Sequence, residues 1–143
     1  MKGFTLLEVL LVIALFGILL ASMGSLASNS LPKNQLTLET DVVVSTLRRA
    51  QTRSISGYQD GLWGVYFTSW SMILFKGERY DLRDPVFDET HVFESSIRMS
   101  GLSEIVFEAR QGQTQQVGTV MITQVSSGET KTLTINRNGR VQK

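Results

Sequence analysis

The stretch GFTLLEVLLVIALFGILLASMG, residues 3–24, decides how this chain of 143 residues is organised. From Phe4 to Ala27 the only ionisable side chain is Glu8, whereas the residues that follow are an ordinary mixture of polar and apolar types. We therefore predict one long apolar segment followed by one soluble domain, which is what a chain of this length accommodates.

The composition excludes several classes of chemistry. The chain contains no cysteine, which rules out thiolate metal sites, cysteine nucleophiles and disulfides. Its net charge of +1 is unevenly placed, because residues 58–110 carry five basic and nine acidic side chains and residues 111–143 carry four and one. This asymmetry indicates a surface with two oppositely charged ends, which is either simply solvated or in contact with a neighbouring subunit.

The apolar segment is long enough to cross a membrane. As a helix it rises roughly 36 Å, and about 20 apolar residues span the hydrocarbon core of a bilayer. We expect residues 4–28 to form a single transmembrane helix in the cytoplasmic membrane. Because Lys2 places the positive charge before it, the N-terminus is predicted to stay in the cytoplasm and the rest of the chain to lie outside.

A cleaved secretory signal peptide is the alternative for the same segment. Residues 9–20 could be its apolar core, and the small residues of SLASN offer a cleavage site, which would release a secreted β-domain protein. Two features argue against it. The basic region is a single lysine, and Glu8 stands where the apolar core should begin.

Glu8 has a clear use if the chain is cut between Gly3 and Phe4. The cut creates an α-amine on Phe4, whose ordinary pKa of about 7.7 to 8.0 leaves it largely protonated. Glu8 then lies one helical turn from a positive charge. The pair can form within one chain or between Glu8 of one subunit and Phe4 of the next, in which case it directs assembly.

The run GFTLLEVLLVIA, residues 3–14, resembles the processing signal of type IV pilins and pseudopilins. That signal is a short basic leader ending in Gly, followed by Phe-Thr-Leu-x-Glu and an apolar helix. The resemblance implies that a prepilin peptidase removes the leader, residues 1–3, and N-methylates Phe4. It also implies that Glu8 forms the assembly salt bridge with other pilin or pseudopilin subunits, first in the inner membrane and then in an extracytoplasmic pilus or pseudopilus.

Two further positions bear on the same resemblance. Gly17 matches a glycine often found midway along the family's apolar helix. The proline that commonly follows is missing, because Met23, Gly24 and Ser25 stand in that neighbourhood, and local melting of the helix is less expected here.

Residues 29–57 are predicted to continue as an amphipathic helix. One stripe at spacings of three and four, with Val44 beside it, consists of Leu36, Thr40, Val43, Leu47, Ala50 and Ser54. The polar residues expected largely outside the stripe are Gln35, Glu39, Asp41 and Arg48. Pro32 should kink or restart the helix, which we expect to end near Ser56 with Gly57 as the C′ residue. We interpret Arg48, Arg49 and Arg53 as capping and solvated residues rather than nucleic-acid contacts.

Residues 58–143 are predicted to form an antiparallel β domain. The predicted strands are residues 62–67, 71–75, 104–109, 118–125 and 131–135, with a short last strand at 140–142 after an Asn138-Gly139 turn. Residues 81–96 lack a period and are expected to form a surface loop with a little extended structure. The predicted fold is thus α+β, of the type IV pilin-like kind, and the stretches at 47–67 and 133–141 look similar to the H-type minor pseudopilins of type II secretion.

The chain is not expected to be an enzyme or to hold a metal or cofactor. His91 is the only histidine, and no phosphate-binding glycine motif occurs. Asp88, Glu89, His91 and Glu94 could bind a divalent cation but are more typical of a solvated loop. The aromatic residues expected in the core rather than on a ligand platform are Trp63, Tyr66, Phe67, Trp70, Phe75 and Tyr80.

The basic C-terminal residues leave one further alternative open. Lys131, Arg137, Arg140 and Lys143 could contact a partner subunit or the phosphates of DNA, as in a minor pilin that serves DNA uptake. The predicted role is otherwise that of a structural subunit of a type IV pilus, a type II secretion pseudopilus or a competence pseudopilus.

Overall fold

The computed structural model of the chain describes residues 5–23 and 30–143. It contains two compact units, residues 1–34 and residues 35–143.

The first unit contains helix α1, Leu6–Met23. Its apolar side chains from Leu6 to Leu20 are exposed, from 78% for Leu6 to 45% for Val12. Across residues 5–23 and 30–143, no helix combines the length and the hydropathy that crossing a membrane requires. The predicted segment 4–28 extends past α1 at both ends, and residues 4 and 24–28 lie outside the described part of the chain.

Helix α2 spans Ser30–Ser56. The predicted stripe is confirmed, because all of its members and Val44 are buried: Leu36, Thr40, Val43, Val44, Leu47, Ala50 and Ser54. Pro32 lies in the first turn, where a missing N–H breaks no helical hydrogen bond. The helix ends where predicted, since Gly57 adopts the left-handed conformation (φ 65°) and its N–H donates to the carbonyl of Ser54.

Eight strands form two antiparallel four-stranded sheets. The strands are β1 (Trp63–Phe67), β2 (Ser71–Lys76), β3 (Asp84–Val92), β4 (Ile97–Gly101), β5 (Glu104–Phe107), β6 (Gly118–Gln124), β7 (Thr130–Ile135) and β8 (Val141–Gln142). The first sheet has the order β3-β2-β1-β5 and the second β4-β6-β7-β8. The α+β fold class is confirmed, and all six predicted strands are present.

Residues 81–96 contain much more extended structure than predicted, because β3 occupies most of this segment, and β4 was not predicted at all. β3 is an edge strand whose residues are exposed or only partly buried. It is held by backbone pairing with β2, from Ser71 opposite Val92 to Leu74 opposite Glu89. Pairing of this kind leaves no alternation of apolar and polar residues for sequence reasoning to detect.

One core joins α2 to both sheets. Buried side chains from α2, from β1 and β2, and from β6 and β7 belong to a single cluster, which includes Leu47, Trp63, Leu74, Ile122 and Leu133. Glu39 was expected outside the buried face of α2, but it is only 8% exposed. Its partner, described below, explains how a carboxylate is accommodated there.

Candidate assembly and contact surfaces

The first predicted site is the N-terminal processing and pairing site. Gly3 and Phe4 lie outside the described residues. Glu8 is the third residue of α1, is exposed, and is the only charged side chain between residues 5 and 23. It lines a shallow groove of ≈ 330 Å³ with Val9, Val12 and Ile13. A carboxylate is therefore presented on an otherwise apolar helix.

The start of α1 also matches a helix-capping pattern. The N–H of Glu8 donates to the carbonyl oxygen of Thr5 at 3.1 Å and approaches its Oγ1 at 3.4 Å. Thr5 thus occupies the N-cap position and Glu8 the N3 position, which is the Thr-x-x-Glu pattern of a capping box. The pattern is readable from the sequence alone. Any test of the Glu8 charge must therefore separate it from capping.

The predicted basic set at the C-terminus does not form one cluster. Lys131 Nζ donates to Thr37 Oγ1 at 2.8 Å, and Lys143 Nζ pairs with the carboxylate of Asp41. The hydrogen bond from Lys143, supported by the charges of Lys143 and Lys131, holds the pKa of Asp41 below its ordinary value. These two lysines therefore bind side chains of α2.

Arg137 and Arg140 are exposed on the five-residue turn between β7 and β8. The turn is fixed to α2, because Gln51 Nε2 donates to the carbonyl of Asn138 at 3.3 Å. Gln51 lies 14 residues beyond Thr37, about 21 Å along a helix. The four basic residues are thus divided between two distant parts of the domain.

A groove of ≈ 500 Å³ between α2 and β3 contains two of the four candidate cation ligands, Glu89 and His91. His91 Nε2 lies 2.8 Å from Glu39 Oε2, which gives the buried carboxylate a partner. Glu89 pairs with Arg49 at 2.9 Å and with Arg53 at 2.7 Å. These ion pairs connect α2 to the edge strand.

The neighbouring carboxylate faces elsewhere. Asp88 accepts a hydrogen bond from Arg83 Nε at 2.8 Å, and this bond raises the pKa of the Arg83 guanidinium. The candidate ligands thus point to different partners. Within the described ranges, no group of three carboxylate or histidine side chains is arranged to hold a metal ion.

The aromatic residues divide between the core and the surface. Trp63, Phe67 and Phe75 are buried, as expected. Tyr66 and Tyr80 stack with their ring centroids 3.9 Å apart, outside the main core cluster. Trp70 is 49% exposed, so its predicted place in the core is wrong.

An apolar helix that presents one carboxylate near its start, followed by a helix packed on antiparallel sheets, is an α+β arrangement consistent with a pilin-like fold. Residues 1–24 match the family model of the prokaryotic N-terminal methylation motif, which confirms the predicted prepilin-type signal. The match ends before α2 and the β domain. No curated protein and no solved structure matches the chain.

The motif supports a type IV pilin- or pseudopilin-like secreted subunit. It implies processing by a prepilin peptidase and assembly with other pilins, and it suggests membrane insertion followed by incorporation into an extracellular pilus. The resemblance to H-type minor pseudopilins stays a prediction.

Proposed function

We propose that the protein is a minor pilin or pseudopilin, a non-enzymatic structural subunit of a type IV pilus or of a type II secretion or competence pseudopilus. In this proposal a prepilin peptidase cuts after Gly3 and methylates Phe4. The segment 4–28 first anchors the chain in the cytoplasmic membrane with the N-terminus inside, and later packs with related helices in the filament. The match of residues 1–24 to the methylation motif carries the proposal.

The exposed apolar surface of α1 suits both environments. Lipid tails and neighbouring apolar helices are similar surroundings for leucine, isoleucine and valine, so transfer from one to the other need not expose them to water. Glu8 is different, because an ionised carboxylate costs about 2.5 to 3.5 kcal/mol at the centre of an inserted helix and less near its end. The amine of Phe4 on a neighbouring subunit offsets that cost, and this makes assembly selective.

The proposal is tested with two substitutions that separate charge from capping. Glu8→Gln keeps a residue that completes a capping box but removes the charge, whereas Glu8→Ala removes both. We expect both variants to be processed and to stay in the membrane fraction, and both to be depleted from sheared filaments. If Glu8→Gln enters filaments as well as wild type, capping explains Glu8 and the pairing proposal fails.

The candidate catalytic side chains of the β domain form contacts with other side chains of the chain, which supports a non-enzymatic role. The single histidine contacts Glu39, and Asp88 and Glu89 contact arginines. Each of these three side chains therefore has a partner within the chain, whereas a general base must reach the proton that it removes from a substrate.

DNA binding is the second candidate, favoured by Arg137 and Arg140. Both are exposed, and within residues 5–23 and 30–143 neither forms an ion pair. DNA binding predicts that the purified protein retards duplex DNA in a salt-dependent manner, and that Arg137→Ala with Arg140→Ala removes this effect. Absence of retardation at low salt would eliminate this candidate.

A further inference from the structure

The end of the β domain at which α2 finishes carries four arginines on one side. Arg48 lies on α2 three residues before Gln51, Arg110 follows β5, and Arg137 and Arg140 lie on the β7–β8 turn; all four are exposed. We call these four residues the arginine side.

Backbone contacts bring these elements together. Gln51 Nε2 donates to the carbonyl of Gly112 at 2.9 Å as well as to that of Asn138, and the N–H of Thr114 donates to the carbonyl of Arg137 at 3.0 Å. Gly139 is packed so closely that a Cβ would lie 2.2 Å from the Gly112 carbonyl. The helix, the loop and the turn therefore form one rigid support for the arginines.

Three acidic residues line a groove of ≈ 330 Å³ at the same end of the domain, and we call them the acidic side: Asp60, Glu78 and Asp84. All three are exposed. The groove also contains Lys76, whose ammonium lies 4.5 Å from the centroid of the Phe87 ring, and Leu82, which is 67% exposed. The acidic side thus combines a negative excess with an accessible aliphatic surface.

The strand register separates Asp84 from the strand that precedes Arg110. Asp84 of β3 lies opposite Lys76 of β2, Lys76 opposite Trp63 of β1, and Trp63 opposite Phe107 of β5. Three strand spacings, about 14 Å, therefore separate Asp84 from the strand that leads to Arg110. Asp60 of the acidic side and Arg110 of the arginine side line one depression, where the two sides adjoin. The rim runs from the acidic side, across the strand ends, to the arginine side.

The charged side chains of both sides are available for contacts with a neighbouring molecule. In residues 5–23 and 30–143, none of the seven side chains forms an ion pair, although five other carboxylates of the domain do so. Glu108, on the loop that carries Arg110, accepts a hydrogen bond from Gln115. Both sides also carry exposed aliphatic residues, Val86 beside the acidic side and Ile55 against Gly112 beside the arginine side. An aliphatic centre with a charged rim is the usual composition of a specific interface.

We propose that the arginine side of one copy of this chain contacts the acidic side of the next copy in the filament. The inference rests on the proposed filament role, with this chain as a repeating subunit of the filament and not as a single copy at its tip. Because the two sides occupy different parts of one rim, subunits packed in parallel bring opposite charges together through a heterologous contact, which repeats without closing. Like charges would meet if the subunits packed in another register, so the rim fixes how neighbours align.

Disulfide cross-linking of the full-length chain tests the contact directly, because no native cysteine interferes. The chain with Glu78→Cys and Arg137→Cys, produced with a prepilin peptidase in cells that assemble the filament, should form a ladder of multimers on oxidation. Thr132→Cys in place of Glu78→Cys is the matched control, since Thr132 is exposed but lies in the middle of β7, and it should give no ladder. A product that stops at dimers would overturn the heterologous contact.

Charge reversal provides the second test. Arg137→Glu with Arg140→Glu should weaken the ladder about tenfold or more, as should Glu78→Lys with Asp84→Lys, when the cross-linking cysteines are moved to positions 48 and 82. Combining the four reversals in one chain should restore the ladder, and Glu129→Lys, away from the rim, should leave it unchanged.

The failures are distinguishable. If filaments form and depend on Glu8 but no rim cross-link appears, the contact is wrong and the filament role stands. If the arginine reversals abolish retardation of duplex DNA while the acidic reversals change nothing and the combination restores nothing, the arginine side binds DNA and the inference is overturned.

Discussion

Apolar side chains are exposed in helix α1 but buried in the domain of residues 35–143. Leu11 of α1 is 55% exposed, whereas Leu47 of α2 is fully buried beneath two sheets. The domain buries its apolar side chains in its own core, whereas those of α1 are available for contact with lipid or other molecules. The comparison implies that the domain determines stability and that α1 determines where the protein goes and what it joins.

The largest expected effect comes from making one substitution in both regions. Leu47→Ala should lower the free energy of unfolding of the domain by about 2–5 kcal/mol, because it leaves a cavity in the core. Leu11→Ala should leave that free energy unchanged. Denaturant unfolding of the processed protein in mild detergent, followed by tryptophan fluorescence, measures both, and an equal loss in the two variants would show that α1 contributes to the core.

Glycine substitutions sharpen the comparison. Gly139→Ala should destabilise the domain by about 2–4 kcal/mol, because Gly139 has φ 71° and no room for a Cβ beside the Gly112 carbonyl. Gly17→Ala in α1 meets nothing within 4 Å and should raise helix content by favouring the helix by about 1 kcal/mol.

Gly128→Ala separates conformation from crowding in the same experiment. Gly128 also has φ 71°, but nothing lies within 4 Å of its Cβ position, so only the backbone cost of about 1–2 kcal/mol is expected. If Gly128→Ala and Gly139→Ala lower the free energy of unfolding equally, close packing of the β7–β8 turn against Gly112 does not contribute to the stability of the domain.

The smallest expected effect is on the urea midpoint, and it concerns the contrast between Glu8 of α1 and Asp41 of the domain. Glu8 has no cation within residues 5–23, whereas Asp41 pairs with Lys143. Since the pKa of Asp41 is lowered from 3.8 in the folded protein, the pair stabilises the fold above that pH and loses its effect as the pH falls through the lowered pKa. Lys143→Met should therefore reduce the urea midpoint slightly at neutral pH, and the difference from wild type should vanish in acid.

High salt should diminish the same difference, because both side chains are more than half exposed. A difference that persists well below pH 3.8 would show that Lys143 acts through packing rather than charge.

Sequence reasoning succeeded where one element alone determines the pattern. The stripe on α2 is visible because burial against any partner selects the same face of a helix, and Gly57 marks its end by a local conformation. It failed where two distant elements meet. Glu39 is buried because His91 lies beside it, and 52 positions separate the two in sequence.

In the candidate site, too, local features could be predicted from the sequence and contacts between distant elements could not. The methylation motif and the Thr5-x-x-Glu8 cap are local and can be read directly from the sequence. The basic C-terminal residues were grouped by proximity in sequence, but in the fold Lys131 and Lys143 contact α2 side chains, whereas Arg137 and Arg140 lie on a turn held by Gln51 and Thr114. These contacts join elements that are distant in sequence, so they could not be predicted from it.

Mass spectrometry of the N-terminus of the protein isolated from its own cells tests the central claim most directly. The account predicts a polypeptide that begins with N-methylated Phe4. A functional protein that still carries Met1, or one that begins near Ser28 as after signal-peptide cleavage, would contradict it.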